Sequence, residues 1–163
     1  MGVICSFCCC PKNLRKVPTN YILLFVFTIS ESLMVAYVCI LSNPEVVLMA
    51  AVFTLGITVA LTVYAWTTDS DFTSFGGFLY AAMLTLFIFS FFALFTDNKF
   101  IHIFICSIGV LIFSIYIIYD TQLIMGGKSF ELQEDDYIMG ALALYIDVIT
   151  LFLYILDLLS RFK

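Results

Sequence analysis

Five stretches of about twenty apolar residues, separated by short polar connections, decide what this 163-residue chain can fold into. They cover roughly residues 19–41, 44–66, 75–95, 100–125 and 137–160, and the connections read SNPE, TTDSDFTS, TDNK and GGKSFELQEDD. A helix needs about 20 largely apolar residues to cross the hydrocarbon core of a bilayer. Hydrophobic residues make up 63% of the chain and charged residues 12%, with a mean hydropathy of +1.12. A soluble domain of this size needs far more polar surface, so the solvent for most of the chain is the lipid bilayer. The expected fold is an all-α integral membrane protein, a bundle of about five transmembrane helices over residues 19–163, behind a cytosolic N-terminal segment, 1–18.

Boundary signals agree with these spans. Pro44 suits the first turn of a helix, and Gly126 and Gly127 mark the end of the fourth span. Glu134, Asp135 and Asp136 precede the fifth, where acids favour a helix N-terminus; their spacing matches no EF-hand. Lys12, Arg15 and Lys16 place the N-terminal segment in the cytosol by the positive-inside rule. Alternating connections then leave Lys128 inside and Lys99, Arg161 and Lys163 outside. The bias grows if the fifth span re-enters rather than crosses, an alternative the sequence leaves open.

Composition excludes several functions. A net charge of −5 leaves no basic patch to neutralise phosphates, so nucleic acid is not an expected partner. The chain has no phosphate-cradling glycine loop, zinc-protease motif or nucleophile elbow. His102 is the only histidine, and it reads as an interfacial residue. No enzyme is expected.

Two carboxylates lie deep in apolar sequence, Asp120 in IYIIYDTQLIMG and Asp147 in ALYIDVITLFLY. A charged side chain at mid-bilayer costs about 2.5–3.5 kcal/mol even on the lenient insertion scale. The short loop between the two spans makes them antiparallel neighbours, so the two acids can face each other. Gly140, Ala143, Asp147, Thr150, Tyr154 and Asp157 step by three and four along one face of the fifth span. Cys106, Gly109, Phe113, Tyr116 and Asp120 do the same on the fourth. Tyr116 and Thr150 are the expected supporting residues, with Tyr116 one turn from Asp120 and able to hydrogen-bond it. Glu31, between Ser30 and Ser32, is a third intramembrane acid and a candidate pore-lining residue. Thr54, Thr58 and Thr62 form a ridge that reads as interhelical packing glue. Asp157 lies four residues before Arg161 and reads as an interfacial ion pair.

No lysine or arginine falls inside any span. Two buried acids without a basic partner have two stable states, a shared proton or a cation between them, and they titrate as a coupled pair. Calcium, which prefers hard oxygen ligands, fits a site of carboxylates, carbonyls and water. Ca²⁺ and H⁺ are thus the expected ions at Asp120 and Asp147. The alternative is a protonated pair that only bonds two helices together.

Four of the six cysteines fall in CSFCCC. A zinc site from them has no second ligand pair. Gly2 with Cys5, Cys8, Cys9 and Cys10 fits an acylated tether, Gly2 for myristoylation and the cysteines for S-acylation. The other reading is the tail of a longer helix that begins before this chain. Cys39 and Cys106 read as small apolar residues.

The strings VPTNYILLFVFTISES, DFTSFGGFLYAAMLTL, YDTQLIMGG and DDYIMGALALYIDVITLFLYIL resemble the Lifeguard branch of the transmembrane Bax-inhibitor-motif family, over about residues 15–159. The resemblance implies a helical bundle in the endoplasmic reticulum, Golgi or related membranes. It also implies a pH-sensitive calcium leak and a role in restraining cell death, with the family's paired aspartates at Asp120 and Asp147. Members of that family usually have seven spans. By the resemblance this chain starts near the end of the second, which favours truncation over a lipid tether and removes the basic latch expected on the paired acids.

The leading functional expectation is a calcium-permeable, proton-sensitive leak of an internal membrane. A non-conducting regulator acting through membrane-protein partners or self-association is the alternative from another class. Half of a proton-coupled transporter is a third, but no inverted repeat or paired broken helix supports it.

Overall fold

A computed structural model describes residues 18–133 and 136–162. Five helices follow one another: α1 (Thr19–Leu41), α2 (Pro44–Thr67), α3 (Gly76–Ala93), α4 (Lys99–Met125) and α5 (Tyr137–Phe162), with a 3-10 turn at Thr73–Phe75 before α3. Each of the five spans is long and apolar enough to cross a membrane, α3 together with its 3-10 turn. The sequence-derived spans agree within a few residues; at α3, Phe75 belongs to the 3-10 turn and the helix ends at Ala93, two residues before the expected end.

Local chemistry explains the ends. Asn43 caps α2 by accepting from the Glu45 amide at 3.1 Å, with Pro44 in the first turn, where a missing N–H costs nothing. Asn98 caps α4 in the same way through Phe100 at 3.0 Å. Gly126 stops α4 with φ 71°, a left-handed backbone that a side chain would oppose.

The bundle is organised around α4 and α5, which pack closely against each other along their length, with α2 against both, α3 against α4 and α1 against α5. Ile117 and Leu151 are fully buried at the centre. The outer helices turn Phe25, Leu33, Tyr37, Phe87 and Phe92 outward, and bury little. That inversion, apolar outside with Asp120, Thr121, Gln122 and Asp147 inside, suits a lipid solvent, where backbone and polar groups must be satisfied internally.

α5 runs unbroken for 26 residues, about 39 Å at 1.5 Å per residue, and does not turn back. Its first residue, Tyr137, meets Tyr21 at the start of α1, hydroxyl to hydroxyl at 3.1 Å. Its far end reaches the opening turns of α4, where the Cys106 thiol donates to Asp157 at 3.0 Å. Arg161 therefore stands at the opposite end of the bundle from Lys128, as alternating spans require.

Candidate functional site: the buried carboxyl pair

The faces of α4 and α5 mesh as an antiparallel ladder. Cys106 meets Asp157, Gly109 meets Tyr154, Asp120 meets Asp147, and Ile124 meets Gly140, so each step along α4 is matched by a step back along α5. Two of these rungs depend on a glycine. A Cβ on Gly109 would lie 2.7 Å from the Tyr154 ring, and one on Gly140 would lie 2.8 Å from Ile124. Small residues let the backbones approach, and the polar rungs then close between them.

Asp120 and Asp147 are buried, 8% and 5% exposed, and their carboxyls stand within hydrogen-bonding reach of each other. A carboxyl can donate to a carboxylate only if one of the two holds a proton. Asp147 Oδ2 is buried and accepts no hydrogen bond among the described residues. Uncompensated burial of an acceptor is costly. Among the described residues no three His, Cys, Asp or Glu side chains gather as a metal site. Calcium held here would draw the rest of its shell from carbonyls and water.

The supporting residues distribute differently from the helical-face expectation. Tyr116 lies near both carboxyls, yet among the described residues it makes no hydrogen bond to Asp120. Its ring instead packs between Phe113, at 5.8 Å, and Tyr119, at 6.3 Å. Thr150 faces α1, where it lines a cavity of about 210 Å³ with Glu31, Phe27 and Tyr145. Asp147 is not part of that lining, so Glu31 and the pair occupy separate places. Glu31 is half-buried at that cavity.

Other expectations meet the structure unevenly. Cys106 is more than a small apolar residue, because its thiol ties α4 to Asp157. Asp157 also pairs with Arg161 at 3.0 Å, as the i,i+4 spacing suggests. Thr54 does not glue helices through its hydroxyl; Oγ1 donates within α2 to the Ala50 carbonyl at 2.7 Å. His102, at the start of α4, donates from Nε2 to the Thr96 carbonyl, 2.9 Å away. Gly2, Cys5, Cys8, Cys9 and Cys10 lie outside the described residues.

Gln122 is the residue that sequence reasoning passed over. It is 1% exposed and holds the end of α2 and the segment leading to α3 through three hydrogen bonds. Its Oε1 accepts from the Phe72 amide at 2.8 Å, and its Nε2 donates to the carbonyls of Ser70 at 2.9 Å and Ala65 at 3.4 Å. The signal was present as a glutamine inside YDTQLIMG, where an amide in an apolar helix needs partners.

Comparison with known proteins supports the sequence resemblance. Residues 1–163 match the family described as Inhibitor of apoptosis-promoting Bax1. The chain is 38% identical to mouse protein lifeguard 4 over 143 residues, covering 88% of this chain and 58% of that protein. It is 29% identical to human protein lifeguard 3 over 156 residues, 93% of this chain and 50% of that protein. Mouse protein lifeguard 3 is 27% identical over 159 residues, 95% of this chain and 52% of that protein. The chain thus spans about half the length of the relatives it matches. With a helical bundle of membrane-spanning length and a match along its whole sequence, this chain belongs to the Bax-inhibitor family and is similar to its Lifeguard members.

Proposed function

We propose that this chain acts as a pH-sensitive calcium leak of an internal membrane, the endoplasmic reticulum or Golgi, and that it takes part in regulating cell death. The observation that carries the reading is the buried Asp120–Asp147 contact with its unpartnered Asp147 oxygen. Two acids within hydrogen-bonding reach share a proton when the pair is neutral. When both ionise, their mutual repulsion in low dielectric is relieved by a cation. Raising pH should therefore admit calcium, and lowering it should remove the charge and weaken binding. Glu31, in its own cavity, is the proposed pore-lining acid. The link to cell death rests on the family description.

The test is calcium efflux from liposomes holding the whole chain, across pH, for wild type, Asp120→Asn and Asp147→Asn. Loss of pH dependence in both variants supports the sensor. Flux and pH response unchanged in both would sink it.

A second reading has its own observation. α1 buries only Asn20 and Phe27 and turns Phe25, Leu33, Tyr37 and Ile40 outward, an apolar face suited to another membrane helix. In that reading the chain conducts nothing alone and regulates through membrane-protein partners. Pure liposomes would then show no leak, while a defined partner would co-purify from membranes.

A further inference from the structure

At the end of the bundle where α2 and α4 terminate, two loops are bonded into one layer. Asp71 Oδ1 accepts from the Thr73 amide at 2.9 Å and the Thr73 hydroxyl at 2.6 Å. Its Oδ2 accepts from the Ser129 amide at 3.1 Å, in the connection after α4. The Thr73 hydroxyl in turn accepts from the Phe130 amide at 3.1 Å. Lys128 Nζ donates to the carbonyls of Thr68 at 3.2 Å and Asp69 at 3.1 Å. Gln122 completes the layer from within α4 through Ala65, Ser70 and Phe72.

Gln122 lies two residues after Asp120, which places the two side chains about 200° apart around the helix axis. The contacts agree: Asp120 reaches α5 on one side of α4, and Gln122 reaches the α2–α3 segment on the other. The last turns of α4 are therefore a crossbar fixed at both sides. Any tilt that separates Asp120 from Asp147 drives Gln122 into the loops, and any release of the loops frees α4 to move.

We propose that this layer is a clasp whose closure is coupled to the Asp120–Asp147 contact, with Gln122 as the positioning residue between them. The clasp deepens the proposed role of the pair, since it gives a change at the acids a mechanical outlet at the membrane surface. Coupling between two sites is reciprocal, so it can be read from either end without any ion flux.

The experiment is amide hydrogen exchange on the whole chain in lipid nanodiscs, comparing wild type, Asp120→Ala and Asp147→Ala, which remove the contact. The expected result is exchange at Ser129 and Phe130 faster by on the order of fivefold, the low end of coupling between sites, with α3 amides unchanged. The reverse arm is infrared spectroscopy of the aspartate carboxyl stretch in Gln122→Ala and Asp71→Ala. A band shift that disappears when Asp120 and Asp147 are both replaced by Asn is expected. Loop exchange within twofold of wild type in both Ala variants of the pair would overturn the clasp, as would an equal rise in α3, which marks general loosening. If Gln122→Ala does not fold, the exchange arm decides by itself. A negative result here, beside a pH-dependent leak that needs both acids, would remove the clasp and leave the sensor standing.

Discussion

Gly109 of α4 lies directly against the ring of Tyr154 of α5, close enough that a methyl group at Gly109 would overlap the ring at 2.7–2.9 Å. The ring has little freedom to retreat, because it also stacks on Phe113 at 5.8 Å with the planes 30° apart. Gly109→Ala should therefore destabilise the bundle by about 1–3 kcal/mol, the usual cost of overpacking a filled core. Thermal unfolding in detergent measures it, and Gly109→Ala combined with Tyr154→Leu should recover part of the loss. Gly56, with open space around its Cα, is the control; Gly56→Ala should be neutral or stabilising.

Gln122→Ala removes three hydrogen bonds at once and strands the Phe72 amide and the Ser70 carbonyl. Leaving buried polar groups unpaired costs about 1–3 kcal/mol each, although water at the bundle surface will satisfy part of this. A drop in unfolding temperature, together with increased proteolysis between residues 68 and 73, is the expected result. A variant as stable as wild type would show that the amide has no structural role.

Asp71 carries a pH dependence of defined sign. Hydrogen bonds from Ser129 and Thr73 hold its carboxyl well below the usual carboxylate range. A group depressed in the folded state stabilises at pH above its unfolded value, about 3.9, and that contribution is lost as pH falls through the folded value. Wild type should thus keep the contact unchanged from neutral pH down to about pH 4 and lose it only in stronger acid. Asp71→Asn should be less stable than wild type at neutral pH, and the difference should shrink in strong acid. Unfolding curves of the two proteins across pH measure this.

Asp157 joins Cys106 to Arg161, and the two contacts should differ in weight. The Arg161 pair is partly exposed, so Arg161→Ala should change stability by no more than about 1 kcal/mol. Asp157→Ala leaves the buried Cys106 thiol without its acceptor and should cost more than Arg161→Ala. It should also raise the reactivity of Cys106 toward a small maleimide, which mass spectrometry can follow.

The spans were legible because lipid demands a simple signal: about twenty apolar residues per helix, with polar residues only at ends and on inner faces. The Asp120–Asp147 contact was legible for the same reason, since antiparallel neighbours joined by a short loop must bring such residues near each other. Three features were not. Thr150 shares a face with Asp147 by spacing, but α5 is contacted from several sides, and the angle between adjacent steps sends Thr150 toward α1. Cys106 looked apolar, and nothing in its own neighbourhood names a partner 51 residues away. The loop TTDSDFTS read as solvated polar sequence, because the partners of Asp71 and Thr73 come from a second loop that periodicity does not reach. Side chains that bond across connections leave no pattern along the chain.

The matched rungs of α4 and α5 also restrict how the two helices can move. Sliding one past the other by a helical turn, about 5.4 Å, would break every rung together and drive the Tyr154 ring out of its place over Gly109. Translation along the common axis is thereby barred. What remains is a pivot about a single rung, and because the Asp120–Asp147 rung lies between the two glycine rungs, parting it requires one of those rungs to part as well.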